Sequence, residues 1–396
     1  MALRKKFQAP SINLQASVND SIDSLNFDIT NNGTIRLLRQ SCGEVLVNQE
    51  GIKFCGNGKR SDTDTHYKVS SRDICEFQVV GSGASSHVKK AIDLRENRFV
   101  AVKVINVMDK DKRHQLLTEI RTLCEAETQD SVVKFYGAFY TPEKSQISIV
   151  LEYMDAGSLA DIIEKTGGVR EDVLGKVAEQ VLDALSYMHT SQHAMHRDIK
   201  PGNILLNYQG ETKVSDFGIS AMLEDTRALC LTFVGTTCYM SPERLNNDPY
   251  TSQADIWSLG LSLVEAATGK YPYNTDHGPV SLCLEISEGA APVLPADQFS
   301  ANLIDFVARC LEKDPSKRWT CAQLLQHPFM QASRAQSVDV AGYLQQSLDL
   351  EERLQSYAQL FAAHFYTLLD NSLEGLHHFT HLYKVCPPYF YTLLDN

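Results

Sequence analysis

The sequence predicts an α+β fold, in which strands and one helix precede a loop of polar and charged residues. Three observations indicate it. A glycine-rich turn at 79–88 separates two apolar strands, and a helix with an apolar stripe follows at 116–124. Further along, a loop with the sequence HRDIKPGN at 196–203 leads into a short apolar segment at 204–206. The strands and their helix therefore come before this loop in the chain.

The glycine-rich turn reads Val79-Val80-Gly81-Ser82-Gly83-Ala84-Ser85-Ser86-His87-Val88. Because glycine has no side chain, the backbone N–H groups of such a turn can approach a phosphate group closely. A turn of this kind is more often an ordinary hairpin, and Ser86 stands where the usual pattern has a third glycine. The next strand, Phe99–Lys103, ends on a lysine whose position makes it a candidate ligand of phosphate oxygens.

A carboxylate is expected to hold Lys103 in place. Apolar residues recur at helical spacing along 116–124, and Glu119 lies at the border of that stripe, where it can point inward. Glu125 is a competing candidate but falls at the helix end. Glu119 could also be an ordinary solvated helix acid, but we favour an ion pair with Lys103.

The strongest functional signal is the loop His196–Asn203, followed eighteen residues after Asp198 by the triplet Asp216-Phe217-Gly218. Asp198 can accept the proton of a hydroxyl group, and Lys200 can neutralise a phosphate. Asn203 and Asp216 carry the amide and the carboxylate that can bind a metal ion. These are the groups that phosphoryl transfer requires, and their register argues against a chance HRD tripeptide.

Three residues further along are predicted to be structural. We expect Glu243, in the segment Ser241-Pro242-Glu243, to form a buried pair with Arg318. Asp255, at the start of the segment Asp255–Gly260, is expected to orient the loop that carries Asp198. None of the three is expected to take part in the chemistry.

Together these motifs resemble the protein kinase family from about Phe77 to Phe329, and every catalytic position of that family is filled. Lys200, and Gly235-Thr236 ahead of the segment containing Glu243, resemble its serine/threonine branch. Within that branch the chain resembles the MAP kinase kinases, whose nucleotide hinge matches 146–159 and whose activation segment matches 232–236. The resemblance implies the bilobal protein kinase fold, with an antiparallel-sheet lobe of about five strands and one helix at 77–150 and a mainly helical lobe at 152–329.

The same resemblance implies ATP and Mg²⁺ as cofactors, bound in the crevice between the lobes. Asn203 and Asp216 would hold Mg²⁺, Leu151 would be the gatekeeper, and the backbones of Glu152 and Met154 would bond adenine. The implied ATP-binding residues are Val80, Gly81, Ser82, Gly83, Ala84, Val88, Ala101, Lys103, Glu152, Met154 and Leu205. The implied catalytic residues are Asp198, Lys200, Lys103 and Glu119.

By this resemblance, the chain would phosphorylate the Thr and Tyr of a T-x-Y loop in a MAP kinase, and an upstream MAP kinase kinase kinase would activate it. Thr226 and Thr232 have five residues between them, which is the spacing typical of plant MAP kinase kinases. The animal pattern requires a hydroxyl at 228, where this chain has Ala228. Phosphate at the two threonines is expected to pair with Arg197 beside Asp198. A serine/threonine kinase further upstream and a non-catalytic scaffold with a kinase fold remain the alternatives.

The segment 116–126 and the tail 338–383 resemble plant group B MAP kinase kinases, which carry a nuclear-transport-factor-2-like domain after the kinase. Only Lys384–Asn396 follow, and a single strand takes about five or six residues, so that domain is expected to be truncated. We therefore predict an N-terminal extension at 1–70, a kinase domain at 71–329 and a C-terminal helical extension at 330–396. The apolar stripe at 354–369 in this extension is expected to dock on another surface.

The first 70 residues are rich in Ser, Asn, Asp and Gly without a sustained period. We predict that they are mostly extended or poorly ordered, with a short hairpin around Asn31-Asn32-Gly33. Arg4-Lys5-Lys6, followed after five residues by Ile12-Asn13-Leu14, resembles the docking peptide with which MAP kinase kinases bind their MAP kinase. A nuclear-import signal is the rival interpretation.

The composition limits the possible partners and the cellular location of the protein. The formal charge of −12 argues against nucleic acid as a general partner, and no apolar run approaches the ~20 residues of a membrane span. Ten cysteines occur without a CxxC pair, which indicates reduced thiols in an intracellular protein. The basic start is followed by a stretch that Pro10 and polar residues interrupt, unlike a signal peptide. We expect the protein in the cytoplasm, with the nucleus as a further compartment.

Overall fold

The computed structural model describes residues 26–30, 33–39, 43–55, 65–82, 86–106, 120, 129–216 and 238–348. Three antiparallel sheets and a set of helices make up these ranges. No helix among them is both long enough and apolar enough to cross a bilayer. The predicted docking segment at 4–14 and the tail after residue 348, with its apolar stripe, lie outside the described residues.

The small lobe contains the five antiparallel strands that the sequence predicts. They are β6 (Ile74–Ser82), β7 (Ser86–Asp93), β8 (Arg98–Asn106), β9 (Phe135–Thr141) and β10 (Gln146–Glu152), numbered after five earlier strands. Their spatial order is β6-β7-β8-β10-β9, which leaves β9 at one edge of the sheet. Between 107 and 128 the structure describes only Ile120, which is helical and fully buried.

The N-terminal extension contains a folded sheet, and the expectation that it is mostly extended or poorly ordered is wrong for the five strands described between 26 and 68. The strands are β1 (Asn26–Ile29), β2 (Ile35–Arg39), β3 (Gly43–Asn48), β4 (Gly51–Cys55) and β5 (Thr65–Lys68), paired in chain order. β1 and β2 form the hairpin expected around Asn31-Asn32-Gly33. Each strand has only four to six residues, too few to show a sustained period in the sequence.

This N-terminal sheet is stable because one of its faces is covered by the small lobe. Directly paired residues share a face of a sheet, and the register aligns Ile35, Val47, Ile52 and Tyr67 in one row across β2 to β5. The first three are fully buried, and the Tyr67 ring packs edge-on against Phe135 of β9 with ring centroids 5.0 Å apart. The sheet therefore lies against β9 and belongs to the packed core of the small lobe.

Replacing Gly137 by Ala should weaken this contact. Gly137, in β9, has a φ of 147°, and a Cβ there would lie 2.6 Å from Val69 Cγ1 and 3.3 Å from Tyr67 Cβ. We expect a loss of about 1–3 kcal/mol in the free energy of unfolding, together with faster hydrogen exchange in β4 and β5. Gly167→Ala is the control, since Gly167 also has a positive φ, of 70°, but has nothing within 4 Å of the added Cβ. Equal hydrogen exchange in the two variants would show that the sheet does not depend on this contact.

The large lobe is mainly helical, as predicted. Its helices are α1 (Leu159–Thr166), α2 (Glu171–Thr190), α3 (Pro242–Leu245), α4 (Gln253–Thr268), α5 (Pro279–Glu288), α6 (Ala301–Cys310), α7 (Cys321–Leu324), α8 (Pro328–Ala335) and α9 (Val340–Ser347). The short strands β11 (Gly157–Ser158), β12 (Ile204–Leu206) and β13 (Thr212–Val214) form a sheet beside the cleft. α4 is buried along most of its length, because apolar residues surround its axis, and it is the central support of the lobe.

The packed part of the large lobe continues beyond Phe329. Val340 and Leu344 of α9 are buried, as is Leu348 after it. The backbone at Gly210 approaches α9 so closely that a Cβ there would lie 3.1 Å from Val340 Cβ. Helix α9, which lies within the predicted C-terminal extension, is therefore part of the packed core of the large lobe.

Candidate active site

Asp255, in α4, binds the backbone of the loop that carries Asp198. The Asp255 carboxylate accepts hydrogen bonds from the backbone N–H groups of His196 at 2.9 Å and Arg197 at 2.8 Å. It also lies 2.8 Å from Nε2 of His189. Burial alone would raise the pKa of Asp255, but these partners outweigh burial and hold the pKa below its ordinary value. The expectation that Asp255 orients the loop is confirmed.

The same loop holds the segment that precedes Asp216. Asp198 N–H donates to Nδ1 of His196 at 3.3 Å, and Nε2 of His196 lies 2.9 Å from the carbonyl oxygen of Ser215. Nδ1 is therefore the acceptor, and Nε2 is assigned as the donor to the Ser215 carbonyl oxygen. The Ser215 N–H donates to the carbonyl oxygen of Asn203 at 3.0 Å. Because both the N–H and the C=O of Ser215 are hydrogen-bonded to this loop, the loop fixes the position of the backbone immediately before Asp216.

Asp198, Lys200 and Asn203 form one hydrogen-bonded cluster. The Lys200 ammonium lies 2.8 Å from Oδ2 of Asp198, and the Asn203 amide nitrogen donates to the Asp198 carbonyl oxygen at 2.7 Å and to Oδ2 at 2.8 Å. Both side-chain contacts to the carboxylate use Oδ2, so Oδ1 can accept the proton of an incoming hydroxyl group. The two amide hydrogens of Asn203 are engaged, which leaves its side-chain oxygen for a metal ion.

Lys103 and Asp216 meet across the cleft. The ammonium of Lys103, whose side chain is 2% exposed, lies 2.7 Å from Oδ1 of Asp216, whose side chain is 37% exposed. Desolvation would raise the pKa of Asp216, but the charge and hydrogen bond of Lys103, together with the charges of His196 and Lys200, outweigh desolvation and lower the pKa below its ordinary value. Asp216 has a φ of 63° and Arg197 one of 70°, backbone conformations that non-glycine residues rarely adopt and that occur at functional sites.

These residues fit a divalent metal ion bound together with a nucleotide. The Asp216 carboxylate and the Asn203 amide oxygen are hard oxygen donors, which Mg²⁺ prefers, and two protein ligands leave the remaining positions to phosphates and water. Lys103 and Lys200 supply the positive charge that phosphate oxygens require. These groups would therefore suit the phosphates of a nucleotide together with a divalent metal ion.

The strand register also positions the expected adenine contacts. In the small-lobe sheet Val88, Lys103 and Ile149 are directly paired, and so are Lys90, Ala101 and Leu151 in the next row on the same face. Val88, Ala101 and Leu151 therefore line the face that presents Lys103 to the cleft. The hinge follows directly, with Glu152 at the end of β10 and the buried Met154 two residues later, and Leu205 lies in β12.

The glycine-rich turn is described in part. Val80, Gly81 and Ser82 form the end of β6, and Val80 is largely exposed. The remaining predicted site residues lie outside the described part of the chain: Gly83, Ala84, Glu119, Thr226 and Thr232. The structure does not place them, so the pair between Lys103 and Glu119 stays a prediction.

Two cations lie close together next to Asp198. Arg244 Nη1 donates to the carbonyl oxygen of Arg197 at 2.7 Å, and both guanidinium groups face the ring of Tyr250, at 5.3 Å and 5.9 Å from its centroid. Burial lowers the pKa of Arg244, and the neighbouring charge of Arg197 lowers it further. Sequence reasoning missed Arg244, and only its proximity in the fold shows that it reinforces the positive charge of Arg197.

Comparison with known proteins agrees with this geometry. A model of the protein kinase domain family matches residues 75–330. The chain is 45% identical over 358 residues to Mitogen-activated protein kinase kinase 3 of Arabidopsis thaliana, covering 90% of this chain and 69% of that protein. It is 35% identical over 353 residues to Mitogen-activated protein kinase kinase SIPKK of Nicotiana tabacum, covering 86% of this chain and 96% of that protein. Dual specificity mitogen-activated protein kinase kinase 1 of Dictyostelium discoideum is 40% identical over 264 residues, covering 66% of this chain and 37% of that protein.

Proposed function

Because this chain is a protein kinase and belongs to the MAP kinase kinases, we propose that it transfers the γ-phosphate of ATP to both the Thr and the Tyr of a T-x-Y loop in a MAP kinase. We also propose that an upstream kinase activates it by phosphorylating Thr226 and Thr232. The proposed catalytic activity rests on one observation. The ion pair of Lys103 with Asp216 and the hydrogen-bonded cluster of Asp198, Lys200 and Asn203 lie at the same cleft.

The proposed mechanism depends on positioning and charge. Asp216 and Asn203 would hold Mg²⁺, which would neutralise charge on the phosphates. Lys103 binds the α- and β-phosphates, and Lys200 lies where it can neutralise the γ-phosphate. Asp198 accepts the hydroxyl proton of the acceptor and aligns its oxygen with the γ-phosphorus. The hydrogen bonds of Asp255 and Ser215 hold the loop that presents Asp198.

The activation step is supported by the two guanidinium groups beside Asp198. A phosphothreonine carries about −1.5 to −2 charges at neutral pH and pairs with arginine through charge-assisted hydrogen bonds. Arg197 is continuous with the catalytic loop, and Arg244 is bonded to its carbonyl oxygen. A phosphate at this position would therefore order the activation segment next to Asp198.

Acceptor specificity is the test of this proposal. We expect the chain with Asp at both 226 and 232 to phosphorylate a kinase-dead MAP kinase on Thr and on Tyr, as measured by phosphoamino-acid analysis. The chain with Ala at both positions should remain at basal activity after incubation with an upstream kinase. Phosphothreonine without phosphotyrosine would favour an upstream serine/threonine kinase. Normal activation of the double-Ala variant would exclude Thr226 and Thr232 as the switch.

The N-terminal basic segment should act in recognition of the substrate protein. Replacing Arg4, Lys5 and Lys6 by Ala should raise KM for a MAP kinase but leave KM for a short T-x-Y peptide unchanged, because the contact is remote from the reacting groups. The effect should shrink as salt is added, since exposed charges are screened. An equal rise in KM for protein and peptide would contradict a docking role.

A further inference from the structure

A buried ion pair joins the hinge to the large lobe. The ammonium of Lys213, in β13, lies 3.0 Å from Oε1 and 2.9 Å from Oε2 of Glu152, the last residue of β10. The Lys213 side chain is 3% exposed and that of Glu152 is 16% exposed. A pair this well enclosed is screened little by water, so its two partners are strongly coupled in position.

A third segment completes the junction. The backbone N–H of Lys134, just before β9, donates to Oε2 of Glu152 at 3.1 Å, and the N–H of Glu152 donates to the Lys134 carbonyl oxygen at 2.9 Å. The Glu152 carboxylate thus bonds at the same time to the small lobe, through Lys134, and to the large lobe, through Lys213.

The junction extends to the strand that ends before Asp216. Val214, in β13, donates its N–H to the carbonyl oxygen of Ser131 at 2.9 Å and accepts the N–H of Val133 at 3.2 Å. Lys213 precedes Asp216 by three residues, and Asn203 and His196 bond the intervening Ser215. The hinge, the segment before β9 and the strand leading to Asp216 are therefore bonded into one unit.

We propose that Glu152 and Lys213 are a positioning pair, which fixes the strand leading to Asp216 relative to the hinge backbone at Glu152 and Met154. The inference rests on the proposed contacts of adenine with that backbone. In this arrangement the pair determines the distance between the adenine end and the phosphate end of the nucleotide site. A ligand that spans both ends depends on the pair, whereas a ligand that occupies only the hinge does not.

The test compares the binding of MgADP and of adenosine by calorimetry, which requires no acceptor protein. Lys213→Met should raise Kd for MgADP about tenfold and change Kd for adenosine less than about twofold, because only MgADP reaches Asp216. Lys213→Arg, which keeps the charge, should restore most of the MgADP affinity. Glu152→Gln should reproduce the loss, and the double variant Glu152→Gln with Lys213→Met should bind MgADP no worse than Lys213→Met alone.

The matched control is Lys313→Met, which removes a half-buried ammonium of the large lobe that donates to the carbonyl oxygens of Ile286 and Gly289. It should lower thermal stability without changing the ratio of the two Kd values. If Lys213→Met does not fold, the comparison is made with Glu152→Gln, which preserves the shape of the side chain. Equal losses for MgADP and adenosine, additive effects in the double variant, or unchanged MgADP binding would each overturn the proposal. MgADP binding by the unaltered chain separately tests the nucleotide site itself.

Discussion

Asp216→Asn is expected to lower kcat on the order of 10³-fold or more at saturating ATP, with little change in the free energy of unfolding. The asparagine side chain has nearly the same shape, but it removes the negative charge that faces Lys103 at 2.7 Å and that would bind the metal ion. The loss should fall on kcat because charge develops on the phosphates in the transition state. Steady-state phosphorylation of a MAP kinase, with thermal unfolding in parallel, measures both quantities.

Asp297→Asn is the matched control, because Asp297 carries the same carboxylate on an exposed loop of the large lobe. It should leave kcat within about twofold of the parent value. If kcat of Asp216→Asn is close to kcat of Asp297→Asn, Asp216 is not a ligand of the metal ion. A parallel collapse in stability would instead identify Asp216 as a structural residue.

Glu243→Gln is expected to reduce the free energy of unfolding by about 3–5 kcal/mol, the usual result of breaking a buried ion pair from one side. Glu243 bonds Arg318 through two hydrogen bonds, of 2.7 Å and 3.0 Å, and the side chains are 5% and 0% exposed. The predicted pair is thereby confirmed. With glutamine at 243, Arg318 would remain buried with backbone carbonyl oxygens as acceptors and without a counter-ion.

The control is Glu76→Gln, because Glu76 pairs with Lys89 on the surface, where its side chain is 37% exposed. Loss of this surface ion pair should reduce the free energy of unfolding by less than about 1 kcal/mol. Denaturant unfolding at pH 7 compares the two variants, and similar small losses would show that Glu243 contributes no more than a surface pair.

The pH dependence of this contribution has a definite sign. Burial would raise the pKa of Glu243, but the hydrogen bonds and charge of Arg318 outweigh burial and lower the pKa below its ordinary value of 4.5. A carboxylate whose pKa is depressed by folding stabilises the protein fully above the pKa of the unfolded chain. The stability difference between parent and Glu243→Gln should therefore be constant near pH 7 and diminish as the pH falls through the lowered pKa.

The catalytic motifs could be read directly because their residues are close in sequence or occur in a fixed order. Asp198, Lys200 and Asn203 lie within one loop, and their spacing alone predicts that they share a site. Asp255 and the pair of Glu243 with Arg318 were also predictable, since each belongs to a recognisable motif, and the hydrogen bonds confirm them.

The sequence by itself was enough to predict an α+β fold with kinase motifs and the residues expected at the cleft, because local patterns of glycine, charge and apolar spacing and their match to the family motifs indicate them. Only the tertiary structure decided that strands β1 to β5 form a sheet against β9, and that Glu152 pairs with Lys213. Both depend on contacts between segments that are far apart in the chain. A four-residue strand or a single lysine carries no signal of its partner, since the free energy that places it comes from burial against a surface that exists only after folding.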